Sequence, residues 1–104
     1  MAATVIGAGI TIEGEVSSDD DVTIGGTLRG KLEVDGTVTV ESDAIVEADI
    51  GAHSVAIGGT VTGNVIAVER VDLLSGGKLI GDVKAARLTI ADGAVFKGNV
   101  DMEV

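Results

Sequence analysis

A five-residue pattern, apolar–x–Gly–x–apolar, returns along this chain from one end to the other. It reads Ile12-Glu13-Gly14-Glu15-Val16, Leu28-Arg29-Gly30-Lys31-Leu32 and Val61-Thr62-Gly63-Asn64-Val65, then Leu79-Ile80-Gly81-Asp82-Val83 and Phe96-Lys97-Gly98-Asn99-Val100. A sixth copy, Val46-Glu47-Ala48-Asp49-Ile50, carries Ala at its centre. The central residues stand at 14, 30, 48, 63, 81 and 98, in steps of 16, 18, 15, 18 and 17 residues. Repetition at this period is the mark of a solenoid, in which each repeat buries its apolar face only by stacking on the next. Within each copy the two apolar ends and the centre alternate with polar residues, the period of a strand with one buried face. On that reading Gly63 points into the interior between Val61 and Val65. A strand that recurs in one direction is one side of a parallel β-helix.

The other two sides follow from the same register. A second series precedes the first: Val22-Thr23-Ile24, Val38-Thr39-Val40, Val55-Ala56-Ile57, Val71-Asp72-Leu73 and Leu88-Thr89-Ile90, with both flanking residues expected inside. Turns of two lengths, such as Gly25-Gly26-Thr27 and Leu74 to Lys78, connect it to the next copy of the first pattern. A third, weaker strand continues inward through Ser18, Val34, Ala52, Ala67, Ala85 and Met102. The expected fold is therefore all-β, a right-handed parallel β-helix of about six coils, each of about 17 residues and three short strands. Stacked at roughly 4.8 Å per coil, it makes a rod about 30 Å long. The right-handed sense is expected because left-handed β-helices keep a strict hexapeptide period, whereas the steps here vary from 15 to 18. Residues 1–5 are assigned to a short tail and 6–104 to the core.

Outward residues also align. One column reads Glu13, Arg29, Glu47, Thr62, Ile80, Lys97 and its neighbour Glu15, Lys31, Asp49, Asn64, Asp82, Asn99. Each places a base between two acids on adjacent coils, as cross-strand pairing favours. A one-residue slip would turn these charges into the core.

Composition narrows the function. Hydrophobic residues make up 45% of the chain, yet Phe96 is the only aromatic, which suits a narrow tube filled with Val, Ile and Leu. With no cysteine, disulfides cannot hold the core, which is compatible with a reducing cytoplasm. A net charge of −10 disfavours binding to nucleic-acid backbones. No apolar run is long enough to span a bilayer, and no signal peptide is visible.

The opening Ile6-Gly7-Ala8-Gly9-Ile10-Thr11-Ile12-Glu13-Gly14-Glu15-Val16, followed by Val22-Thr23-Ile24-Gly25-Gly26-Thr27-Leu28-Arg29-Gly30, resembles the start of a bactofilin core, and the likeness continues to about Val100. Bactofilins are bacterial cytoskeletal proteins, and the resemblance implies a right-handed β-helical core that polymerises end to end without nucleotide. It also implies a cytoplasmic scaffold at or near the inner face of the membrane. Many members attach to membrane through an N-terminal peptide. Here five residues precede Ile6 and nothing basic or Pro-rich flanks the core, so the sequence lends membrane attachment no support.

No catalytic, cofactor or metal site is expected. His53 is the single histidine and falls at a corner, in the column of Asp19, Asp35 and Val68. Three consecutive acids, Asp19-Asp20-Asp21, cannot all face one cation and read as a solvated loop. No Lys-Ser/Thr follows Gly7-Ala8-Gly9 to make a phosphate loop. The informative feature is the two ends. The first coil offers Ile10, Ile12 and Val16, and the last offers Phe96, Val100, Met102 and Val104. No amphipathic helix or proline covers them, so each end is a template for another chain. The leading expectation is a filament subunit whose partner is itself. The alternative is a trimeric enzyme on a left-handed β-helix, an acyltransferase or a zinc carbonic anhydrase, for which one histidine cannot supply the usual ligands. An ice-binding surface would need an unbroken Thr ladder, but Thr23, Thr39, Ala56, Asp72, Thr89 is interrupted twice.

Overall fold

The computed structural model describes residues 4–102. Its strands are β1 (Thr4–Ile6), β2 (Thr11–Ser18), β3 (Val22–Ile24), β4 (Thr27–Val34), β5 (Thr37–Val40), β6 (Ile45–Ile57), β7 (Thr60–Thr62), β8 (Val65–Leu73), β9 (Lys78–Ala85), β10 (Arg87–Ile90) and β11 (Val95–Met102). Every pairing is parallel and joins one coil to the next: β2 to β4, β4 to β6, β6 to β7 and β8, β7 and β8 to β9, β9 to β11. The other side runs β1, β3, β5, β6, β8, β10. This is the expected parallel β-solenoid, with dimensions of 31 × 25 × 22 Å.

Register follows the repeat. Ile12 pairs with Leu28, Leu28 with Val46, Val46 with Val61, Val61 with Leu79, and Leu79 with Phe96. These side chains form one internal column, buried from Leu28 to Leu79 and half-buried at the two ends. Four more columns fill the tube, and among the described residues no polar or charged one is buried. Each buried Val, Ile or Leu contributes roughly 1.5–3 kcal/mol against its exposed state. The column of small residues is also inside, with Val34, Ala52, Ala67 and Ala85 all buried. The Met102 side chain lies outside the described residues.

The central glycines do something other than expected. Gly14, Gly30, Gly63, Gly81 and Gly98 have φ between 122° and 135°, a conformation L side chains rarely adopt. They form a corner at which the chain turns from the first face (for example Thr27 to Arg29) to the second (Lys31 to Val34). A Cβ on Gly63 would not enter the core but would meet the Ala48 carbonyl of the coil before it, at 2.5 Å. Gly30, Gly81 and Gly98 would strike Gly14, Gly63 and Gly81 in the same way. The inward placement of Gly63 is thus corrected: the glycine ladder lies along the rod axis and permits close stacking of backbones. Ala48 is the exception. Its φ is not positive, its methyl is buried, and the next residue, Asp49, accepts from the Asn64 N–H through Oδ1 at 3.4 Å.

Outside, Arg29 is held between Glu13 (3.8 Å) and Glu47 (3.1 Å), as the column predicted. Lys31 departs from its column and meets Glu33 on its own strand at 3.1 Å. A hydrogen bond to Glu33 and that carboxylate's charge raise the Lys31 pKa, with Glu15 and Asp49 adding less. The resulting stabilisation is present below the unfolded lysine pKa and is lost as pH climbs through the raised value, so only strong alkali removes it. Asp21 ties two coils together, because its Oδ1 accepts from the Thr37 N–H at 2.9 Å and closes the start of β5. Asp21→Ala should lower stability by about 1 kcal/mol, read as a shift in the thermal midpoint, while Asp19→Ala should not.

Candidate polymerisation surfaces

Burial drops at both ends of the rod. β1 and β2 are paired on one side only, as are β10 and β11, among the described residues. Each end therefore presents a row of backbone N–H and C=O groups together with a cross-section of the core.

At the first end Ile12 and Val16 are half-buried and Ile10 is 49% exposed. Ile6, in the same coil, is buried. At the last end Phe96 is half-buried, Val100 is 38% exposed and Ile90 is 50% exposed. Sequence reasoning missed Ile90 and its neighbour Leu88. Both terminate internal columns: Ile90 follows Ile24, Val40, Ile57 and Leu73, and Leu88 follows Val22, Val38, Val55 and Val71. The signal was available in the second strand series, in which Leu88-Thr89-Ile90 is the fifth copy. The structure brings Phe96, Val100 and Ile90 onto one end, and Ile10, Ile12 and Val16 onto the other. Val104 lies outside the described residues.

The residues weighed for chemistry stay dispersed. His53 is exposed, and its backbone N–H donates to the Gly36 carbonyl at 3.1 Å. Asp19 and Asp20 are exposed in the loop, and the Ser18 hydroxyl accepts from the Asp20 N–H. Among the described residues no group of three or more His, Asp or Glu is placed to hold a metal ion. Among the described residues no helix is long and apolar enough to cross a membrane.

A stacked rod with two open ends is the geometry of a polymer subunit, and comparison with known proteins agrees. Residues 4–101 match the bactofilin family, described as polymer-forming and cytoskeletal. The chain belongs to the bactofilin family. Bactofilin BacO of Myxococcus xanthus (strain DK1622) is 50% identical over 104 residues, covering 100% of this chain and 82% of that protein. Bactofilin BacP of the same strain is 39% identical over 99 residues, which are 95% of this chain but only 41% of the longer relative. Among solved structures, the Thermus thermophilus bactofilin in double helical filaments superposes with a TM-score of 0.91 at 32% identity, covering 96% of this chain and 99% of that one. The cytoskeletal bactofilin BacA superposes with a TM-score of 0.88 at 29% identity, covering 98% and 97%. The bactofilin assignment supports a structural, cytoskeletal role over the left-handed trimeric enzyme.

Proposed function

We propose that this bactofilin is a non-enzymatic scaffold subunit that assembles end to end, each terminal coil pairing with a terminal coil of another copy. The observation that carries this is the coincidence, at each end, of an unpaired strand edge and exposed apolar side chains that continue buried internal columns. Ile10, Ile12 and Val16 form one contact, and Phe96, Val100 and Ile90 the other, with Met102 and Val104 assigned to the same end. Joining two ends extends the strand ladders and the core at once, so backbone hydrogen bonds and apolar burial are gained together. A right-handed winding suits coil steps of unequal length, and a cytoplasmic location suits a chain without cysteine.

Assembly in this scheme consumes no nucleotide and needs no metal. After exhaustive chelation and nucleotide removal, the purified protein should still sediment as polymer and show filaments by electron microscopy. Pelleting only on addition of nucleotide would overturn the scheme.

A further inference from the structure

The net charge of −10 is unevenly placed around the rod. On the first face, outward positions carry three bases (Arg29, Lys78, Lys97) against two acids (Glu13, Glu47). The third face, which holds β3, β5 and β10, balances two bases (Arg70, Arg87) with two acids (Asp21, Asp72). On the second face five acids outnumber two bases, and the remaining acids among the described residues lie at the corners. Two copies of so acidic a chain approach side by side at least cost through a face with no net negative charge.

Exposed apolar side chains separate the two candidates. The third face has only Val5, at one end of the rod, and Ile90, which closes an internal column at the other. The first face has Ile45 (45% exposed), Ile80 (36%) and Val95 (42%); Ile45 pairs with the uncharged Thr60 and Ile80 with Thr62, while Val95 pairs with Lys78. The second face bears the more exposed Ile66 (54%), with Val68 (66%) at the corner beside it, but among its excess acids.

We infer that the first face, centred on Ile45, Thr62 and Ile80, is where a second filament of this same chain docks. The inference rests on the end-to-end filament proposed above. A patch this small would not hold two free subunits together, but a filament presents it once per subunit, and many weak contacts act as one strong contact. Solenoid coils rotate slightly relative to one another, so one face of a long stack traces a helical stripe. Two filaments that keep this face in contact must wind around each other, the form in which the Thermus thermophilus relative was reconstructed.

Electron microscopy of four proteins at about 0.15 M salt tests this. Wild type should give paired, intertwined strands. The double variant Ile45→Thr/Ile80→Thr, which keeps strand propensity, should give single strands. The double variant Ile66→Thr/Val68→Thr, on the second face and the corner beside it, should remain paired. Thr62→Glu, an exposed change, should give single strands that pair again in about 1 M salt as repulsion is screened, and it decides the matter if the first variant does not fold. Pairing that survives Ile45→Thr/Ile80→Thr or Thr62→Glu would overturn the assignment, as would its loss in Ile66→Thr/Val68→Thr. Single wild-type strands would overturn the lateral contact while leaving end-to-end assembly intact, whereas absence of any wild-type filament would overturn both.

Discussion

Replacing Phe96 with Arg should leave a folded, β-rich subunit that no longer forms filaments. Phe96 pairs with Leu79 and ends the column Ile12, Leu28, Val46, Val61, Leu79. The other five members are aliphatic, and the ring appears only where the tube stops. In the subunit the side chain is half-buried, with one side on the core and the other open. An arginine there can turn toward water in the free subunit, but under an incoming coil its charge is buried without a partner. Uncompensated buried charge costs about 3–5 kcal/mol, which corresponds to a loss in affinity of more than about a hundredfold. Sedimentation should find the variant in the soluble fraction at concentrations where wild type pellets, with unchanged far-ultraviolet circular dichroism. Lys97→Glu, outward on the same strand, should still polymerise. Normal filaments from Phe96→Arg would remove this end from the interface. If that variant unfolds, Val100→Arg and Ile90→Arg, at more exposed positions on the same end, make the same test.

Gly81→Ala should be among the most destabilising single-methyl changes in the chain. Gly81 combines φ of 135° with a Cβ position that runs into the Gly63 carbonyl of the neighbouring coil. The conformational strain alone is about 1–3 kcal/mol, and relief of the clash requires two backbones to separate where β9 and β7 stack. A total near 4 kcal/mol places it with the severe mutations, and the thermal midpoint should fall accordingly. Thr62→Val, one residue from the ladder glycine Gly63 and outward, should change the midpoint little. Equal losses for the two would mean that the glycine ladder is not a stacking constraint.

These two cases divide what was legible from what was not. The period of the repeat, the alternation within it and the absence of bulky rings were enough for the solenoid, its coil steps and its internal columns, because strand register follows directly from which residues must be buried. Arg29 between Glu13 and Glu47 was readable for the same reason: residues one coil apart become neighbours once register is known. That Phe96 is the one aromatic member of its internal column was legible too, since the six copies of the repeat align it with five aliphatic residues.

Gly63 was not legible. Apolar–x–Gly–x–apolar has the alternation of a strand, and a glycine shows no side chain whose burial would reveal that the backbone turns there. Only the positive φ and the nearby carbonyl of Ala48 identify a corner. Lys31 found Glu33 in place of its column neighbours because a flexible ammonium settles on the nearest carboxylate, and at an exposed site the choice is worth little. Residue order was sufficient to establish that this chain stacks coils around an apolar tube, since burial pattern and period are properties of that order. Where the coil bends, which end exposes Ile90 as well as Phe96, and which face escapes the acidic charge became visible only in three dimensions, because each depends on how residues of different coils meet in space.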